Sequence, residues 1–174
     1  MMKRAGAVLS AAVLGFAVTA CGGTDDPVAW ADKVCSALED PIEALMAEPE
    51  IDPSDLEATQ AGLVDYLDNA ATSIGDIKDA FGDAGAPPVE GGDDLADEIS
   101  TALSSAQTAI GEARDKVAEA DASDPMAFSA ALSGMSGELA SLTSAMEAVG
   151  SLDSNPELQS AAEQAKSCQF LNDM

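Results

Sequence analysis

Three stretches of this chain repeat apolar residues at alternating intervals of four and three, and that spacing limits the fold more than any other feature. Leu56, Leu63, Leu67, Ala70, Ile74, Ile77 and Phe81 form the first stretch, and Ile99, Leu103, Ala106, Ile110, Ala113, Val117 and Ala120 the second. Phe128, Leu132, Met135, Leu139, Leu142, Met146 and Val149 form the third, closed by Gly150. Such a seam keeps one face of a helix turned toward a neighbour. Strand-like alternation is absent beyond the N-terminal segment, which leaves an all-α class.

The breaks between the stretches carry helix-start chemistry. Asp26-Pro27, Asp124-Pro125 and Asn155-Pro156 each place a capping side chain before a proline, which fits the first helical position because no amide hydrogen is needed there. Pro27 therefore opens a first helix running to about Met46, with Ala31, Val34, Cys35, Leu38, Ile42 and Leu45 on one face. Pro41 is expected to kink that helix or split it after Asp40. The turn around Pro49, Asp52 and Pro53 leads into the second helix, which Asp52 or Ser54 can cap. That helix is expected to end at Gly82 to Gly85, and Ala86-Pro87-Pro88-Val89 to form an extended corner. The third helix begins between Val89 and Asp94, and a last short helix carries Leu158, Ala161, Ala162, Ala165 and Cys168.

Taken as 55–81 and 94–120, the second and third helices are ~40 Å long at 1.5 Å per residue, and the fourth is nearly equal. Equal lengths with short links predict an up-and-down antiparallel helical bundle of four long helices plus a short C-terminal helix, occupying residues 27–174. Alanine at many seam positions implies close helices around a thin core rather than a wide cavity.

The N-terminal twenty residues are of a different kind. Met1, Met2, Lys3 and Arg4 give a basic start, and Ala5 to Ala20 is an uncharged, mostly apolar run, short for a membrane span and of signal-peptide length. It ends in Val18-Thr19-Ala20-Cys21, which looks like a lipobox in which Cys21 is lipidated and becomes the first residue after cleavage. Val18 and Ala20 also satisfy an ordinary secretory cleavage site, so a secreted protein is the competing reading. Cysteine arithmetic favours the lipid: with Cys21 modified, Cys35 and Cys168 remain as an even pair in an oxidising compartment. Both lie on apolar helix faces, where a disulfide would clasp the two chain ends; two buried thiols are the alternative. Residues 21–26 then serve as a tether, and the partner is a membrane reached through the lipid rather than spanned.

Cleavage after Ala20 would leave five basic residues (Lys33, Lys78, Arg114, Lys116, Lys166) against 32 acidic ones, a formal charge of −27. That surface repels phosphates, and with one Trp, one Tyr and four Phe in the chain there is little to stack on bases, so nucleic acid is excluded. Disorder is excluded by the 47% hydrophobic content in regular periods. Histidine is absent, which removes the commonest general base and transition-metal ligand.

The lipobox, the W-A-D-K-V-C of Trp30 to Cys35, the G-A-P-P-V-E-G-G of Gly85 to Gly92 and the late Cys168 together resemble the uncharacterised small secreted proteins and lipoproteins of actinobacteria. The resemblance covers most of the chain after the leader. It implies compartment and fold, and its motifs are structural, with no activity attached.

Candidate sites are few. Asp93, Asp94, Asp97 and Glu98 could offer oxygens to Ca²⁺ or Mg²⁺, but they lack a D-x-D-x-D-G loop and sit where a helix dipole attracts acids. Glu112, Asp115 and Glu119 share a helix face with Arg114 and Lys116 beside them, as a solvated surface does. Met126, Met135 and Met146 read as core at seam spacing, and Trp30 as packing over a disulfide. Serines and threonines have no base to activate them. The sequence therefore predicts no catalytic residues, no metal and no cofactor. It predicts a non-catalytic interaction or structural module on the outer face of the cell membrane, with a possible envelope protein partner; the alternative is a carrier or sensor for a small apolar ligand held between helices.

Overall fold

The computed structural model describes residues 26–134 and 137–172, without the side chains of Glu138, Leu139 and Asn172. The expected leader 1–20, the expected lipidation position Cys21, the expected tether as far as 25 and Met135 lie outside the described residues. Those described form helices and connecting turns, with no strand among them. The α-helices are α1 (Pro27–Leu45), α2 (Leu56–Ala84), α3 (Gly92–Glu119), α4 (Pro125–Gly134), α5 (Glu138–Gly150) and α6 (Pro156–Gln164); 3₁₀ turns cover Ser151–Ser154 and Lys166–Asn172.

The cap-and-proline starts fold as their chemistry dictates. Asp26 accepts the Val28 amide at 3.0 Å, Asp124 accepts Met126 N–H at 2.9 Å, and Asn155 accepts Glu157 N–H at 2.9 Å. The start of α2 differs from expectation: Asp55 is the cap, accepting Ala58 N–H at 3.0 Å. Asp52 instead accepts the hydroxyl and amide of Ser54, which keeps its carboxyl below the usual range. Pro41 lies inside α1 and does not split it. Proline removes one hydrogen bond to the exposed Ala37, while the buried Leu38 and Pro41 hold the last turns in place from either side of Asp40.

α2 ends inside the expected Gly82 to Gly85 stretch, past Gly82 itself. The helix runs a further turn to Ala84, which is buried, and Gly85 stops it with φ 77° in the left-handed region that glycine adopts without strain. Gly92 is buried against the Pro87 carbonyl, where a Cβ would collide, so the proline corner and the start of α3 can lie in contact.

The expected fourth long helix is two elements, α4 and α5. Gly134 and Gly137 flank the division, and glycine is about 1 kcal/mol poorer than alanine in a helix interior. The division shifts the phase of the apolar stripe: α5 buries Ala145 and Ala148, Leu142 and Val149 are half-buried, and Met146 is turned outward, 73% exposed. Met126 is 83% exposed. Neither methionine is core, contrary to what the seam spacing implied, and Leu132 is also exposed.

α2 and α3 make the most extensive pairing, α5 lies on the other side of α3, and α1 packs on α2, α6 and the last 3₁₀ turn. One core cluster joins Trp30, Val34 and Leu38 of α1 to Ile74 and Ile77 of α2, Ile99 and Leu103 of α3, Ala148 of α5 and Leu158 of α6. A second, at the other end of the α2–α3 pair, is closed by Phe128 of α4 over Leu67, Ala113 and Val117. No helix among the described residues is long and apolar enough to cross a membrane.

Candidate functional site

The first turns of α1 fasten two other parts of the chain, the end of α2 and the last 3₁₀ turn. Trp30 is buried with its ring centroid 6.3 Å from that of Phe81, and its indole N–H donates to the Gly85 carbonyl at 2.9 Å. Lys33 donates to the carbonyl of Asp83. Asp32 accepts the Ser167 amide at 3.0 Å, and hydrogen bonds from Ser167, with the nearby Lys166 charge, hold its carboxyl below the usual range. Cys35 and Cys168 are bonded, with their Cα atoms 5.0 Å apart. The W-A-D-K-V-C and G-A-P-P-V-E-G-G segments thus meet through Trp30 and Gly85. Trp30 is core, as expected, but its defined partners are Phe81 and Gly85 at the end of α2.

A groove of about 550 Å³ opens between the C-terminal half of α1, the loop 46–55 and the middle of α2. Two contacts hold the loop in place as its third wall. Asp52 N–H donates to the buried Thr59 hydroxyl oxygen at 3.0 Å, and that hydroxyl donates back to the Asp52 carbonyl at 2.7 Å. Gly62 lets the Glu50 carbonyl approach α2 where a Cβ would block it. Asp40, Glu48, Glu50, Asp65 and Asp76 line the groove with no basic side chain among them. Ser73 lies in its wall and is only 4% exposed. Ser73 Oγ has no hydrogen-bond partner among the described residues. Sequence reasoning passed over Ser73, yet a signal was there: it stands three residues after Ala70 and four before Ile77, on the apolar side of α2.

The acidic residues singled out by sequence are dispersed. Asp93, Asp94, Asp97 and Glu98 are exposed on the first turns of α3; Asp94 and Glu98 face the 151–156 turn, and Asp97 and Glu98 the groove beside Glu147. No group of three or more acidic or cysteine side chains converges to hold a metal among the described residues. Glu112, Asp115 and Glu119 are exposed, and Asp115 is tied to Arg114 at 2.6 Å. Arg114 also pairs with Asp68 of α2 at 2.9 Å, so this face braces the α2–α3 pair. Asp121 accepts the Ser123 hydroxyl at 2.6 Å, which lowers its pKa in the same way as Asp52.

The other spaces along the surface differ in character. Those between α3 and α5 are open and lined by Ser104, Ser105, Thr108 and Ser144, whose hydroxyls bond to carbonyls of their own helices. A smaller one, about 220 Å³, lies beside Trp30, Lys78 and Phe81. Comparison with protein families, with curated proteins and with solved structures returns no significant match for this chain.

Proposed function

We propose that the chain is a non-catalytic binding module of the cell envelope, held at the outer face of the cell membrane by a lipid on Cys21. One observation carries this reading. Of three cysteines, Cys35 and Cys168 are consumed by a disulfide, which leaves the cysteine of Val18-Thr19-Ala20-Cys21 as the odd one, in the position a lipobox requires. A disulfide also suits an exported protein better than a cytosolic one. The resemblance to actinobacterial secreted proteins and lipoproteins points the same way.

The interaction role is supported by the surface. Its spaces are open grooves edged by carboxylates and hydroxyls, with exposed Met126, Leu132 and Met146 on α4 and α5. Polar edges of this kind do not suit a small apolar ligand, which makes the carrier reading the weaker one. We further propose that α1, α2, α3 and the α4–α5 segment together form the four walls of an up-and-down bundle. The pairings fit it: Trp30 near the start of α1 meets the end of α2, and Gln60 near the start of α2 donates to the Val117 carbonyl near the end of α3, at 2.7 Å.

Intact-mass analysis of protein extracted from the membrane fraction tests the anchor. The expected species begins at Cys21 and carries added acyl mass. An unmodified species released into the medium, with Cys21 titrating as a free thiol, refutes it.

A further inference from the structure

We propose that the groove between α1 and α2 binds a linear polyamine, a chain of ammonium groups separated by short methylene segments. The inference rests on the reading of this chain as a binding module and is independent of the lipid anchor.

Three observations select this ligand class. The carboxylates of Asp40, Glu48, Asp65 and Asp76 edge the groove without a basic side chain among its lining residues, so the site attracts cations and nothing within it neutralises them. Ser73 is buried in the same wall with its hydroxyl oxygen unbonded among the described residues, and that oxygen is an acceptor for an ammonium N–H. A hydroxyl hidden from bulk water is costly to leave unmade, and pairing it with a charged donor recovers more than pairing with a neutral one.

The spacing then distinguishes a polyamine from a metal ion. Asp65 and Asp76 stand on one helix, and eleven residues at 1.5 Å each separate them by ~16 Å along its axis. A point cation needs carboxylates that converge, and no such group exists among the described residues. Charges strung along a flexible chain match carboxylates strung along a groove. The methylenes between them lie against the apolar parts of the same walls, Pro41 and the Tyr66 ring.

Calorimetric titration of the full-length chain in detergent with spermidine, at fixed ionic strength, tests the proposal. Saturable binding to one site is expected. Ser73→Ala should weaken it ~10-fold, the scale of one hydrogen bond to a charged group. Asp65→Asn/Asp76→Asn should weaken it at least as much; both positions are exposed, so this variant keeps its fold. Asp93→Asn/Glu163→Gln removes the same charge from exposed positions outside the groove and should leave the affinity unchanged. Equal losses in the two double variants would mean diffuse counter-ion attraction and overturn the proposal. So would the absence of saturation, or a lysine-rich peptide that binds the groove without being displaced by spermidine. Membrane-fractionated, acylated protein that takes up no spermidine defeats the polyamine site while leaving the anchor intact.

Discussion

Breaking the bond between Cys35 and Cys168 should cost this protein a large part of its stability, chiefly through the unfolded chain. The two residues are separated by 133 positions, so the disulfide closes almost the whole helical domain into one loop. In the chain-entropy treatment, a loop of that length corresponds to about 5 kcal/mol at 25 °C, an upper figure because a real unfolded chain is already compact. For a domain of this size 1 kcal/mol moves Tm by about 2–4 °C, so reduction should lower it by about 10–20 °C. Thermal and urea unfolding by circular dichroism, with and without a phosphine reductant, measures the effect. The urea m-value should rise on reduction, since an unlooped chain exposes more surface. Reduced wild type keeps both sulfurs in the core, so the Cys35→Ala/Cys168→Ala variant should lie only slightly below it. A reduced protein melting within a few degrees of the oxidised one, at unchanged m-value, would show that the clasp is not what restrains the unfolded ensemble.

Other perturbations have separate outcomes. Trp30→Phe keeps an aromatic ring but leaves the Gly85 carbonyl without its indole donor, and should lower unfolding free energy in urea by about 1–3 kcal/mol. Gly62→Ala places a methyl against the Glu50 carbonyl and should lift the loop 46–55 at a cost of about 1–3 kcal/mol, seen as faster hydrogen exchange at the Asp52 amide. Asp32 has a lowered pKa, so its contribution is present above the unfolded value near pH 4 and is lost as pH falls through the lowered folded value; Asp32→Asn should flatten the acid limb of stability relative to wild type. Self-repulsion among 32 acids should make Tm rise with NaCl between ~0.01 and 0.1 M as the Debye length falls from ~30 to ~10 Å, and CaCl₂ at equal ionic strength should add nothing further; a plateau at micromolar Ca²⁺ contradicts this.

What the sequence disclosed, and what it withheld, follows from how local each cause is. Asp26-Pro27, Asp124-Pro125 and Asn155-Pro156 start helices by contacts within three residues, and those starts were legible. So was the pairing of Cys35 with Cys168, because setting Cys21 aside leaves an even pair at the two ends of the domain, although Cys168 lies in the last 3₁₀ turn and not on the short helix expected to carry it. Pro41 does not split α1 because its local cost is outweighed by the packing of Leu38 and Pro41, which no window of sequence shows. The end of α2 at Gly82 to Gly85 was legible, but not the choice of Gly85 within that stretch: running on past Gly82 buries Ala84 and delivers the Gly85 carbonyl to Trp30. The error at Met146 was one of phase. A seven-residue repeat read through Gly134 and Gly137 assumes a continuous helix, and once the helix is divided the spacing no longer fixes which face is inward. The groove was not legible as a site, since it exists only because the loop 46–55 folds back onto Thr59 and Gly62.

The clasp also sets how the molecule bears tension. A pull applied between Asp26 and Asn172 enters α1, passes from Cys35 to Cys168 through sulfur, and leaves by the last 3₁₀ turn. The chain between the two cysteines, ~450 Å when extended at ~3.4 Å per residue, is shunted off the load path and cannot be drawn out while the bond holds. Only the flanking residues 26–35 and 168–172 can lengthen, so a tethered molecule would yield a few tens of ångströms as the first turns of α1 and the last 3₁₀ turn draw out, and then stiffen with the helices between the two cysteines still folded.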